Sequence, residues 1–167
     1  MPITRNTLSG LFPALNALFL LAMFISTADA EDKIKCDTAV QEANQQLDKN
    51  NNKPVNDESG LVKLLRTLNK DDVLPPQYVT SEFAKKQGWS GKAQDSLWKI
   101  WVLNKREIGG DSVQLPEQKS GEKWYSADLE SVRGYRSAKR LIYSPQSQER
   151  YLSTNENTSR VMIKPCL

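Results

Sequence analysis

The segment of the sequence that is most informative about the fold is KWYSADLESVRGYRSAKRLIYS, residues 123–144. It contains two short β-prone runs, residues 123–129 and 139–143, with a glycine-containing turn segment between them. This pattern is typical of neighbouring strands. The same texture, short strands separated by turn residues, extends to three further runs: residues 113–115, 151–154 and 160–163.

The half of the chain before this region has helical spacing instead. Residues 36–49 predict a short helix, because apolar residues recur along one stripe. A second helix follows, and Thr80 is a plausible N-cap of a third that ends at Gly88. Helices first and antiparallel strands afterwards predict an α+β domain with the helices packed on one face of the sheet. The two buried stripes are Cys36, Val40, Ala43 and Leu47, then Leu61, Leu64, Leu65 and Leu68.

The N-terminus predicts a secretory signal peptide over residues 1–30. Arg5 is followed by an apolar run over residues 11–25, and small residues, Ala28 and Ala30, precede a cleavage point at Glu31. The alternative is a membrane anchor, but a span needs about 20 apolar residues and this run is shorter. We therefore expect a protein exported to the periplasm or the medium, with no membrane contact after cleavage.

The remaining chain divides into two parts. Residues 31–57 predict a helical extension that ends in a polar, Asn-rich linker, and residues 58–167 predict one domain. Cys36 and Cys166 lie near the two ends of this mature chain. Because an exported protein meets an oxidising compartment, a single disulfide is the natural interpretation, with two free thiols as the alternative.

The composition excludes several kinds of site. The sequence has no histidine, so it can form neither a Ser-His-Asp nor a Cys-His nucleophilic site, and no His-ligated zinc site. Its 23 Lys+Arg and 20 Asp+Glu residues leave a formal net charge of +3. That charge is compatible with RNA or another anionic ligand but does not argue for either. We expect no metal and no cofactor, and a monomer.

Four segments together resemble the barnase-type microbial ribonucleases. They are LPPQYVTSEFAKKQGW at residues 74–89, IGGD at 108–111, KWYSAD at 123–128 and GYRSAKRLIYS at 134–144. They occur in the order of that family, and the resemblance extends over about residues 61–163. It implies the microbial ribonuclease fold, with residues 108–111 at the start of the family's first strand.

The resemblance also implies a chemistry. In this family a carboxylate takes the 2′-OH proton, a histidine protonates the leaving 5′-oxygen, and RNA is cut after guanine. The family's two phosphate-binding arginines correspond to Arg136 and Arg140, and the buried aspartate that pairs with them corresponds to Asp128.

The sequence departs from the family at the acid and the base. Ser126 stands at the general-base position and Glu156 at the general-acid position. Ser81 replaces a lysine that helps to bind phosphate, and the guanine-binding loop after Asp111 is shortened. Losing the base or the acid typically costs about 10²–10⁴-fold in rate.

Three hypotheses follow. The leading one is an exported barnase-like protein that binds RNA or phosphate through Arg136 and Arg140, with its endoribonuclease activity lost or strongly reduced. The second is an active endoribonuclease that forms 2′,3′-cyclic phosphates, in which Glu156 is the acid and Asp128 or Glu130 the base. The third is a protein-binding module whose old active-site groove holds an acidic, inhibitor-like partner.

The tryptophans are interpreted mainly as core residues. Trp98 and Trp101 are the best exception, because the segment SLWKIWVLNKR, residues 96–106, interleaves them with cations. Aromatic rings beside cations suit single-stranded RNA. They suit a short amphipathic helix on the core equally well.

Overall fold

A computed structural model describes residues 33–167, so the signal peptide predicted over residues 1–30 lies outside the described residues. The helices are α1 (Cys36–Lys49), α2 (Glu58–Asp71) and α3 (Ser81–Lys86), with two single 3₁₀ turns at Leu97–Lys99 and Trp101–Leu103. The strands are β1 (Tyr78–Val79), β2 (Glu107–Val113), β3 (Trp124–Asp128), β4 (Arg140–Tyr143), β5 (Arg150–Ser153) and β6 (Val161–Ile163).

The six strands form one sheet in the order β1-β2-β3-β4-β5-β6. Strand β1 is parallel to β2, and every other neighbouring pair is antiparallel. The predicted α+β class is therefore confirmed, with one parallel pair that the sequence pattern did not indicate. Two residues of β1 are too few to show a periodicity, which is why the pattern missed this strand.

The first long strand begins earlier than its β-prone run. The β-prone run predicted a strand at residues 113–115, whereas β2 starts at Glu107 and ends at Val113. The resemblance, which put residues 108–111 at the start of this strand, agrees with the structure. The β-prone run did not include the start of β2, because Gly109 and Gly110 are poor strand formers. The register of β2 against β3 shifts between Gly109 and Asp111, and Gly110 has a φ of 89°. The doublet is thus a β-bulge.

Helices α1 and α2 pack on one face of the sheet and share one hydrophobic core with it. The leucine stripe of α2 is buried against residues such as Ala127 and Leu141, which neighbour each other on β3 and β4. Because side chains alternate along a strand, Ser126 and Asp128 of β3 lie on the other face, away from these helices. This second face is called the open face below.

The N-terminal extension is joined to the C-terminal end of the domain. Cys36 and Cys166 form a disulfide, so the predicted pairing is confirmed. The Asn69 side chain of α2 donates a hydrogen bond to the Cys166 carbonyl at 3.0 Å. The linker is held as well, since the Asn44 side chain of α1 exchanges two hydrogen bonds of 2.9 Å with the backbone of Val55. Helix α1 is therefore part of the core.

Within the described part of the chain, no helix combines the length and the apolar character needed to cross a membrane.

Removing the disulfide is expected to lower the free energy of unfolding. The bridge closes a loop of 130 residues, for which the chain-entropy model gives about 4–5 kcal/mol. We expect the double variant Cys36→Ala, Cys166→Ala to unfold at lower urea concentration than the wild type, in unfolding monitored by tryptophan fluorescence. An unchanged midpoint would show that the core alone fixes the two chain ends.

Candidate functional site

The open face carries two rows of paired residues. One row runs from Asp128 on β3 to Arg140 on β4 and Ser153 on β5. The other runs from Asp111 on β2 to Ser126 on β3. Residues directly opposite each other in antiparallel strands point to the same face. The sheet register alone therefore brings these polar side chains together.

The centre of the open face is a buried carboxylate held by two arginines. Asp128 is 1% exposed and accepts hydrogen bonds from Nε and Nη2 of Arg136 at 2.7 and 2.8 Å. The Nε atom of Arg140 lies 3.0 Å from the same carboxylate. Arg140 also donates from Nη1 to the Ser137 and Lys139 carbonyls. The two arginines and Asp128, which the sequence predicted as a set, thus lie together.

The two arginines differ in their surroundings. The hydrogen bond with Asp128 raises the pKa of Arg136, whereas burial lowers the pKa of Arg140. An arginine starts from a pKa so high that both remain charged at neutral pH. The Arg136 side chain is 20% exposed and that of Arg140 only 7%. Arg136 is therefore the one that a ligand reaches more easily.

Glu156 lies at the edge of this cluster, in the turn between β5 and β6. It has a φ of 58° and its backbone N–H donates to the Ala138 carbonyl at 2.9 Å. This hydrogen bond ties the turn to the segment between the two arginines, and the Glu156 charge acts on both of them. Its side chain is exposed.

Asp111 is a further acidic residue of the site that the sequence analysis quoted only as part of a motif. Its carboxylate accepts hydrogen bonds from the backbone N–H of Ser81, at 2.8 Å, and from the Ser81 hydroxyl. It also acts electrostatically on Arg136 and Arg140. Asp111 lies opposite Ser126, and this pairing is visible only in the register of the folded sheet.

Ser126 occupies the place that the resemblance gives to the general base. It is buried in the middle of β3, opposite Ile142 on β4 and Asp111 on β2. A serine hydroxyl is a weak base unless a second group takes its proton. The side chain at the expected base position is thus well placed but chemically unsuited.

Glu130 is not placed where the second hypothesis needs it. If β3 continued past Asp128, the alternation of side chains would place Glu130 on the open face with Ser126 and Asp128. However, β3 ends at Asp128, and Glu130 has a φ of 52°. Its carboxylate pairs with Lys139 and accepts from the backbone N–H groups of Asn56 and Asp57. Burial would raise the pKa of Glu130, but these hydrogen bonds lower it overall. Glu130 therefore fastens the linker to the domain.

Glu107 is an acidic residue that the sequence analysis did not single out. Burial, and next the charge of Asp128, raise its pKa. It lines a cavity of about 420 Å³ together with Leu61 and Leu64 of α2. The cavity lies on the helix side of the sheet, so this carboxyl group does not face the two arginines. Among residues 33–167, no group of three or more acidic or cysteine side chains is placed to hold a metal ion.

Comparisons with known proteins bear on the resemblance to ribonucleases. No protein-family model matches the chain. A curated protein named Ribonuclease, from Heyndrickxia coagulans, is 36% identical over 75 residues. The matched stretch is 42% of this chain and 66% of the relative, so the chain spans just under two thirds of that protein's length. This partial similarity, together with the α+β fold, indicates a relationship to a ribonuclease.

Neutralising Asp128 is expected to destabilise the protein strongly. Asp128→Asn leaves two guanidinium groups without their counter-charge, and breaking a buried pair in this way costs roughly 3–5 kcal/mol. The measurement is the urea midpoint of unfolding. The matched control is Asp37→Asn, whose pair with Arg66 is exposed; we expect it to change stability by less than about 1 kcal/mol. Equal effects of the two substitutions would contradict the central role of Asp128.

Proposed function

We propose that this protein is an exported member of the barnase-type ribonuclease family that binds RNA through Arg136 and Arg140, with its endoribonuclease activity lost or strongly reduced. The observation that carries the proposal is the rigid arginine pair on the open face. Asp128 takes up one of its two positive charges, so the three groups together keep a net charge of +1, while the nearby carboxylates of Asp111 and Glu156 oppose an incoming anion. A phosphate group is the natural ligand of arginines held in this way.

The geometry of Arg136 supports phosphate binding. Its Nε and Nη2 atoms bind Asp128, which fixes the plane of the guanidinium and leaves Nη1 for a ligand. An ordered arginine loses less side-chain freedom when a ligand arrives than a mobile one does. In proteins that bind nucleic acids without sequence specificity, contacts to the phosphates supply most of the affinity.

The acid and base positions support the loss of cleavage. A ribonuclease needs one group to accept a proton and another to donate one. Ser126 is a poor acceptor, and Glu156 is exposed at the edge of the cluster. The sequence has no histidine, which is the proton donor that the resemblance expects at this position. Binding survives these replacements, because it depends on the arginines and not on proton transfer.

Export is supported by two independent features of the chain. The signal-peptide pattern over residues 1–30 is one, and the disulfide between Cys36 and Cys166 is compatible with it. Disulfides of this kind form mainly in the periplasm and outside the cell. The protein would meet RNA in that compartment.

The first experiment separates binding from cleavage. We expect purified protein incubated with mixed-sequence RNA to leave no 2′,3′-cyclic phosphate ends. We also expect it to bind a 2′-O-methyl oligonucleotide, which cannot be cleaved by attack of a 2′-OH. Arg136→Gln should weaken this binding and reduce the slope of log K against log salt by about 0.7 for one lost phosphate contact. Circular dichroism confirms that the variant is folded.

The matched control is Arg66→Gln, which removes an exposed arginine on α2 that pairs with Asp37. It should leave binding unchanged. Cleavage that disappears in both Arg136→Gln and Glu156→Gln would instead establish the second hypothesis, an active endoribonuclease. An acidic protein that binds while RNA does not would establish the third hypothesis.

Glu156→Gln tests the role of that residue directly. If the site binds phosphate without acid catalysis, removing the negative charge beside the arginines should tighten RNA binding about two- to fivefold at low salt, since a surface charge interaction is worth up to about 1 kcal/mol. The gain should shrink at high salt, where exposed charges are screened. Glu42→Gln on α1 is the control, because Glu42 lies on the helix side and pairs with Lys164. Weaker binding in Glu156→Gln would contradict the proposal.

A further inference from the structure

Two tryptophans and a tyrosine form an exposed surface beside the arginine site. Trp101 is 91% exposed, and Trp98 and Tyr135 are 37% and 42% exposed. Trp89 and Trp124, by contrast, are buried as predicted. We call Trp98, Trp101 and Tyr135 the aromatic surface. Large aromatic side chains bury much apolar area when they pack in a core, so leaving an entire indole in water needs a reason.

The aromatic surface is built onto the loop that leads to Arg136. The Leu97 N–H donates to the Gly134 carbonyl at 3.0 Å, and the Ser96 hydroxyl donates to the Arg133 carbonyl at 2.6 Å. A Cβ atom on Gly134 would lie 2.6 Å from Cδ1 of Trp98, so glycine is what allows the indole to approach this loop. The aromatic surface and the arginine site are therefore parts of one continuous region.

The orientation of Trp98 is fixed. Its Nε1 donates to the Arg106 carbonyl at 3.1 Å, while its ring lies against Gly134. Trp101 belongs to the following 3₁₀ turn, and its side chain is almost fully exposed to solvent. This segment is not the amphipathic helix that was the alternative interpretation, because two separate turns replace it and expose both tryptophans.

The charges around the aromatic surface are positive. Residues 96–106 contain three cations and no acidic residue. Lys99 and Lys105 are exposed, and so is Arg133 on the adjoining loop. A polyanion with flat aromatic groups matches both the charge and the rings of this surface.

We propose that the aromatic surface is a stacking subsite for the bases of single-stranded RNA that flank the phosphate held at Arg136. This proposal rests on the proposed function, which supplies the phosphate contact. Trp101 offers an indole face to a base, and Lys99, Lys105 and Arg133 approach the neighbouring phosphates. Tyr135 is exposed and directly precedes Arg136 in the chain.

The test compares two ligands that carry the same phosphates. One is 2′-O-methyl hexauridylate, and the other is an abasic hexamer of equal length. We expect Trp101→Ala to raise the Kd for the hexauridylate about tenfold, in the range found for one lost base–aromatic stack, and to leave the Kd for the abasic hexamer unchanged. Trp101→Phe should retain most of the affinity, whereas Trp101→Leu should lose it, because leucine is apolar but has no aromatic face. Val73→Ala, an exposed apolar residue after α2, is the control.

The outcomes separate this proposal from the one on which it rests. If the wild type binds neither hexamer, both proposals fail. If the wild type binds both hexamers, Arg136→Gln weakens both, and Trp101→Ala changes neither, RNA binding stands and the stacking subsite is overturned. A Trp101→Leu variant that binds as well as Trp101→Phe would also overturn it, since an apolar contact would then suffice.

Discussion

The buried ion pairs of Asp128 hold the open face together. One carboxylate, almost without solvent, binds Arg136 in two places and contacts Arg140 in a third. A buried charge is tolerated only when it is paired, so removing any one of these three groups leaves a buried charge without its partner. The cluster joins β3, β4 and the loop between them. The Tyr78 hydroxyl adds to this by donating to the Asp128 carbonyl at 3.0 Å, which ties β1 to the end of β3.

In the proposed function, this constraint explains how binding is kept while catalysis is lost. The arginines are kept in place by a structural requirement, so they persist whether or not a reaction occurs between them. The acid and base have no such support. Ser126 and Glu156 stand where the resemblance expects proton-transfer groups, and neither takes part in the ion pairs of Asp128. Their replacement leaves a cationic surface that continues into the exposed Trp98 and Trp101.

The elements with a clear periodicity were predictable, and the irregular ones were not. Helix α1 spans Cys36–Lys49 as its apolar stripe indicates, because a buried helical face leaves a direct trace in the residue spacing. The short strand β1 and the start of β2 left no such trace. The position of Glu130 could not be predicted for a related reason. Alternation predicts a shared face only while a strand continues, and β3 stops at Asp128.

The α+β class, the pairing of the two cysteines and the lack of histidine-based chemistry follow from the sequence alone. It also identified Asp128, Arg136 and Arg140 as one cluster, through the resemblance of an uninterrupted segment. Only the tertiary structure decided the neighbours of residues far apart in the chain, such as Glu130 against the linker and Asp111 against Ser81. The physical reason is that local patterns report which side of an element is buried. Contacts between distant segments depend instead on sheet register and on how loops close, and the exposure of Trp101 is settled in the same way.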